Sequence, residues 1–347
     1  MRIANIMLSN RFGGIGQAYI DYNACLLRSG HEVLAICHRH GGWLELTEQQ
    51  QAGGRLSILS VTQKGGPKGL PSAWRIHRAC RRFAPDVIVI HNYLNFNLLA
   101  THGISPRAAV THMYKCKHFD RIDGVIALTD ELRAMCRKAG VETPVHIVPN
   151  MIDGPFSAPR WGWRDDRLPV IGGLGRLDTH KGFEILIDAC RQLRERSVAF
   201  HCLIGGIGFQ EESLRRQVSA LALDDCIDFV GFVDDKAGFF DRLDLFVAPS
   251  VSETFGITLL EAMKYGRPVV ATETGGHGDI LRDGENGVLV PTRDATALAD
   301  AITRQLADPA GAYRLATAAS QTLRDRYTMD AVGPRLSAAL HDIAHRA

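Results

Sequence analysis

Short apolar runs return along the whole chain, from RIANIML, EVLAIC and DVIVI through GVIALT to LPVIGGLG, LFVAPS and PVVAT. Nearly all lack polar alternation. A strand that faces water on one side alternates, so these runs predict strands buried on both faces of a parallel sheet. Stretches of helical period lie between most of them, at 14–30, 181–196, 211–222 and 257–266. Strand and helix taking turns almost throughout predicts an α/β chain with parallel sheets.

A length of 347 residues exceeds what one core usually serves, so two domains are expected. The rhythm breaks at NMIDGPFSAPRWGWRDDRLP, residues 150–169, which reads as a linker. The expected division is an N-terminal Rossmann-like domain over 1–158, a second over 159–327, and a closing helix over 328–347, interrupted at Pro334, that returns to the first domain. Open α/β sheets bind ligands beyond the carboxyl ends of their strands, so the two sheets are expected to face an interdomain cleft, with functional residues directly after strands.

With 46% hydrophobic and 22% charged residues and no low-complexity run, disordered and fibrous classes are excluded. No apolar stretch approaches the roughly 18 residues of a membrane span, and no cleavable signal opens the chain. Eight cysteines without a Cys-x-x-Cys suit reduced, buried thiols, and the cytoplasm is the expected compartment. A net charge of +7 over residues 1–158 stands against −5 over 159–347. A basic first half fits an anionic partner, whether a phosphorylated acceptor or the inner face of a membrane. No helix-turn-helix, RNP or zinc-finger pattern accompanies it, which argues against nucleic acid. In PSAWRIHRACRRFAP, Trp74, Ile76, Ala79, Cys80 and Phe83 are expected on one side of a helix and Arg75, Arg78 and Arg82 on another, a plain amphipathic helix or a face for peripheral docking on anionic lipid.

Chemistry concentrates after five predicted strands. In LFVAPSVSETFGITLLEAMKYG a buried strand ends near Ser250, a polar loop carries Glu253, and a helix starts around Gly256 with Glu261 one turn inside it. The free N–H groups and dipole of that helix start suit a phosphate, and a carboxylate accepts two vicinal sugar hydroxyls well, so the pair fits a phosphate flanked by two sugars. Equally, Glu253 reads as a cap and Glu261 as a surface helix residue. GGLGRLDTHKG supplies Arg176, a planar fork, and Lys181, a point charge, suited to two phosphates. Gly13, Gly14 and Gly16 follow the first strand and would let backbone approach a phosphate or sugar. Three Gly-x-Gly segments lack the third glycine of a dinucleotide fingerprint, which weakens a nicotinamide reading. His112 and His91 each follow a first-domain strand. His112, Cys116 and His118 resemble a zinc spacing, but no second cysteine pair supports it.

Taken in order, these segments resemble the GT-B glycosyltransferases, and within them the large retaining family 4 (group 1). Glu253 and Glu261 match its Glu-x7-Glu motif, GRLDTHKG its Gly-Arg-Leu…Lys-Gly segment and VHIVPNMID its Val-Ile-Pro-Asn-Gly-Val-Asp strand, with Met151 in place of the commoner glycine. The resemblance implies a GT-B fold and transfer of a sugar from a nucleotide-diphosphate sugar to a hydroxyl acceptor, such as a cell-envelope precursor. Arg176 and Lys181 would bind the donor diphosphate and Glu261 the ribose. Glu253, with the backbone of Phe255, Gly256 and Ile257, would hold the transferred sugar. Gly13 and Gly14 would lie near donor and acceptor, His112 beside the sugar, and Val233 against the nucleobase through its backbone. GGHGDI replaces the family's Gly-Gly-Ile-Pro-Glu, so His277 and Asp279 are expected to alter sugar contacts. No Asp-x-Asp triplet occurs, and neither a metal nor another cofactor is expected. A non-hydrolysing sugar-nucleotide 2-epimerase and a catalytically silent sugar-nucleotide binder fit the same pattern.

Overall fold

Runs that carry no polar alternation become strands with both faces covered: β4 and β11, below, are buried at every residue. The structure, a computed structural model, describes residues 1–10, 13–40, 42–50, 53–62, 66–160, 162–163 and 167–346. Part of the expected linker, residues 161 and 164–166, lies outside them. The chain divides into two units, Met1–Asp153 with Tyr327–Ala347, and Gly154–Arg326.

The first unit carries β1 (Arg2–Met7), β2 (Glu32–His38), β3 (Leu56–Val61), β4 (Val87–Ile90), β5 (Arg107–Thr111), β6 (Gly124–Ala127) and β7 (Val145–Ile147). They form one parallel sheet in the order β3-β2-β1-β4-β5-β6-β7. Its helices are α1 (Gly14–Arg28), α2 (Trp43–Gln49), α3 (Leu70–Phe83), α4 (Leu94–Ala100) and α5 (Asp130–Lys138). The second unit has β8 (Val170–Leu174), β9 (His201–Gly205), β10 (Ile227–Gly231), β11 (Leu245–Ala248), β12 (Val269–Thr272) and β13 (Val288–Val290), parallel in the order β10-β9-β8-β11-β12-β13. Its helices are α6 (Phe183–Glu195), α7 (Glu211–Ala220), α8 (Lys236–Arg242), α9 (Ile257–Lys264), α10 (Gly275–Ile280), α11 (Ala295–Ala307) and α12 (Pro309–Arg326). Both sheets run outward in two directions from a central pair, β1/β4 and β8/β11. That is the Rossmann order, with its switch point between the central strands. The expected α/β class with parallel sheets is observed in each unit.

The last helix, α13 (Met329–Arg346), runs through Pro334 without a break and belongs to the first unit. It lies against α1: a Cβ on Gly333 would come within 3.1 Å of Ser29 Oγ and 3.2 Å of Cys25 Sγ. Arg28 bridges Asp153 and Asp330 at 3.3 and 3.0 Å.

One expectation about α3 is overturned. Ser72, Ala73, Ile76 and Cys80 form its buried stripe, whereas Trp74 is 61% exposed with Arg78 across its ring at 5.5 Å. At about 100° per residue, position 74 lies some 200° from position 76, so the two cannot share a face.

Candidate active site

In the second unit, β8 runs into a loop that must reach α6 across the end of β11. Gly182 makes that approach with a left-handed backbone, φ 65°, and a Cβ there would sit 2.1 Å from the Pro249 carbonyl oxygen. Only glycine serves there. The loop is then tied to the segment after β11, because the N–H groups of Val251 and Ser252 donate to the His180 carbonyl at 2.8 and 3.3 Å. The result is an ion pair between Lys181 Nζ and Glu253 Oε2, residues 72 positions apart, with side chains only 20% and 14% exposed.

The other Glu253 oxygen, Oε1, accepts from the backbone N–H groups of Thr254 at 3.2 Å and Phe255 at 3.5 Å. Burial pushes the Glu253 carboxyl up, but Lys181, His277 and the Phe255 N–H outweigh it and hold it below the ordinary carboxylate range. Gly256, at φ 101°, then turns the chain into α9. A Cβ on it would lie 3.0 Å from Cδ2 of His277. His277 is buried and donates from Nδ1 to the Thr272 carbonyl at 2.8 Å, and burial keeps it below its usual value. The Gly276 N–H donates to the Glu253 carbonyl at 3.0 Å, so the starts of α9 and α10 lie side by side. Ile257, the first residue of α9, is half-buried.

Arg176 follows β8 as expected, but its side chain is 62% exposed and pairs with buried Asp178 at 2.7 Å. Glu261 is buried, which overturns the surface-helix reading, and it forms an ion pair with Lys236 at the start of α8. Lys236 escaped the sequence reading: it lies 25 residues from its partner, and only its place after a strand, in VDDKAG, could have marked it. Val233, half-buried between β10 and α8, reaches over the end of β9, where its Cγ2 would lie 2.9 Å from a Cβ on Gly205. The ends of β8, β9, β10 and β11 thus bring Lys181, Arg176, Val233, Glu253 and Lys236 to the same edge of one sheet. The glycines of GGIGF have another purpose. Cβ atoms on Gly206 and Gly208 would fall 1.8 and 2.2 Å from the carbonyl oxygens of Gly175 and Leu177, so these glycines let two loops touch backbone to backbone.

In the first unit, β4 and β5 are neighbours and end in His91 and His112. His91 Nδ1 is 2.9 Å from His112 Nε2, the rings stack at 5.1 Å, and His91 Nε2 is 2.9 Å from Asn5 Oδ1 on β1. Burial pushes His112 down to about 3 and His91 well below its usual value. Gly13 caps α1, its carbonyl accepting from the Gly16 and Gln17 N–H groups at 3.0 and 3.2 Å, and Gly14 begins the helix. Gly16 does not fit the ligand-approach reading: a Cβ on it would lie 2.0 Å from the Trp43 ring, so its bare face is filled by indole. Cys116 lies with its Sγ 3.4 Å from Cys136 Sγ. Among the described residues no three His, Cys, Asp or Glu side chains converge as metal ligands, and no helix is long and apolar enough to cross a membrane.

A family model described as Glycosyltransferase Family 4 matches residues 12–154, and one described as Glycosyl transferases group 1 matches 168–308. The chain is 27% identical over 265 residues to a lipopolysaccharide core biosynthesis glycosyltransferase, LpsD, of Rhizobium meliloti (strain 1021), covering 75% of this chain and 76% of that one. It is 36% identical over 231 residues to a phosphatidyl-myo-inositol mannosyltransferase of Mycobacterium leprae (strain TN), covering 65% of this chain and 60% of that one. The chain therefore spans between about three fifths and three quarters of the length of these relatives. The crystal structure of Anabaena HepE in complex with UDP-glucose superposes with a TM-score of 0.82 at 22% identity, over 99% of this chain and 100% of that one. With two parallel Rossmann sheets, and with the two family models matching consecutively over most of its length, the chain belongs to the GT-B glycosyltransferases, family 4 in its N-terminal half and group 1 in its C-terminal half.

Proposed function

We propose that the chain is a retaining, metal-independent transferase that moves a sugar from a nucleotide-diphosphate sugar to a hydroxyl acceptor. The observation that carries this reading is the Lys181–Glu253 pair, a cation and a carboxylate held together at the start of α9. As the bond between sugar and diphosphate breaks, negative charge builds on the diphosphate. Lys181, Arg176 and the N–H groups at the start of α9 stabilise it without reorganising. Glu253 orients sugar hydroxyls and steadies positive charge at the anomeric carbon. The acceptor oxygen attacks on the face that the diphosphate leaves, and a leaving phosphate oxygen takes its proton. Glu261, oriented by Lys236, binds the ribose. The backbone at Val233 meets the nucleobase, that of Phe255, Gly256 and Ile257 the sugar, and Gly13 and Gly14 lie near donor and acceptor. His112 accepts a hydrogen bond from a substrate hydroxyl.

The UDP-glucose bound to HepE supports a sugar-nucleotide donor, and the names of the two relatives support a lipid-linked cell-envelope acceptor. The basic first half and the exposed Leu70 and Trp74 beside Arg75 and Arg78 support peripheral association with an anionic membrane. Thermal stabilisation across a panel of nucleoside diphosphates and their sugars names the donor. Transfer from that donor is expected to persist in excess chelator. Chelator-abolished transfer restored by magnesium or manganese overturns metal independence, and an epimerised sugar nucleotide formed without acceptor overturns the transferase reading.

A further inference from the structure

The polar chain behind His112 has a direction that can be read from one unambiguous atom. The Tyr19 backbone carbonyl can only accept. The side-chain atom of Asn5 that faces it, at 3.4 Å, is therefore the amide nitrogen, which also donates to Asn23 Oδ1 at 2.8 Å. Turning the amide over would set its oxygen against the Tyr19 carbonyl, acceptor against acceptor. Asn5 Oδ1 thus faces His91 Nε2, which must carry a proton to donate to it at 2.9 Å. A neutral imidazole has one N–H, so His91 Nδ1 is a lone pair, and His112 Nε2 must carry the proton that joins the two rings at 2.9 Å. The proton on Nε2 leaves Nδ1 of His112 as the acceptor.

We propose that Asn5 and His91 are positioning residues that lock His112 in its Nε2–H tautomer, so that its Nδ1 accepts from a substrate hydroxyl and cannot donate to a phosphate or carbonyl oxygen. The inference rests on the proposed role of His112 in transfer. The surroundings enforce the lock. His91 and Asn5 are buried, and Tyr22 and Tyr19 meet the His91 ring edge-on at 4.9 and 5.9 Å. Depressed basicity keeps both rings neutral at physiological pH, so His112 orients a hydroxyl instead of taking its proton. In a largely buried series such as this, each hydrogen bond polarises the next, which strengthens the terminal acceptor.

The direct test is nitrogen NMR of the ligand-free, full-length chain labelled at histidine. At pH 7, His112 is expected to show a protonated Nε2 and a bare Nδ1, and His91 the same tautomer. An Nδ1–H tautomer or a charged ring at either position overturns the inference. In kinetics, turnover is read as nucleoside diphosphate release from whichever of UDP-, GDP-, ADP- and dTDP-hexose the native chain consumes. His91→Phe removes the acceptor for His112 Nε2–H. It is expected to release the tautomer and lower kcat about tenfold, with nucleoside diphosphate affinity unchanged. His91→Gln, which keeps an acceptor and a donor, is expected to recover most of the loss and guards against a misfolded Phe variant. Full kcat in His91→Phe, with His112→Ala inactive, overturns the inference alone. Full transfer by His112→Ala overturns the role given to His112, and the positioning role with it.

Discussion

Glu253 combines three contacts, a lysine and two backbone N–H groups, in a nearly closed setting. Glu253→Gln keeps the shape and removes the charge. Loss of a preorganised charge aimed at the reacting centre is worth about 10²-fold or more in kcat. Transfer is therefore expected to fall by at least that factor while nucleoside diphosphate affinity, measured by calorimetry, stays within about twofold, the size of a modest interaction change. Equal turnover would remove Glu253 from the chemistry. Three imidazoles, those of His91 and His277 buried and that of His112 half-buried, predict a pH effect of definite sign. His91, His112 and His277 all have native values below the unfolded one. Their contribution is full above the unfolded value of about 6.5 and is lost as pH falls below it, because the unfolded chain takes up protons that the native rings refuse. Urea midpoints are expected to fall steadily from pH 7 to pH 5, and less steeply in His112→Gln. A slope unchanged by that substitution would mean that the ring titrates normally.

At the scale of elements, α3 shows what periodicity misses when read by residue type. The run PSAWRIHRAC contains enough apolar residues to suggest that Trp74 is core, but the helix buries Ser72 and Ala73 and turns the indole outward. An exposed tryptophan flanked by arginines suits a bilayer interface. Vesicles containing anionic lipid are expected to blue-shift the Trp74 emission and to retain the protein on flotation. Trp74→Ala or Arg78→Glu should weaken retention, and indifference to lipid charge would reject the surface. The glycine-rich turns carry the same lesson. GGIGF resembles a nucleotide loop in its letters, yet Gly206 and Gly208 are needed because carbonyls of the neighbouring loop occupy the space of a side chain. The count of glycines was legible; their crowding belongs to the packed sheet.

Across the whole molecule, the proposed nucleotide contacts Arg176, Lys181, Val233 and Glu261 all fall in Gly154–Arg326. A nucleoside diphosphate without sugar is therefore expected to slow hydrogen exchange after β8, β10 and β11 and to leave the strand ends of the first unit unchanged. With UDP as the first probe at about 100 times its dissociation constant, linkage adds about 2.7 kcal/mol to the unit that binds it. Protection confined to the first unit would reverse the assignment.

By itself, the order of residues determined the α/β class, the parallel sheets, the placement of His91 and His112 directly after strands and that of Lys181 and Glu253 in the loops that follow strands. Burial on both faces demands uninterrupted apolar runs, and a helix start open to solvent demands a polar loop before it, and both demands are met by residues that neighbour one another along the chain. Only the tertiary structure decided which side chains pair: Lys181 with Glu253, Lys236 with Glu261, His91 with His112 and Asn5. In a parallel sheet every strand ends at the same edge, so residues tens of positions apart become neighbours through lateral strand order. A hydrogen bond or ion pair depends on that distance and not on separation along the chain.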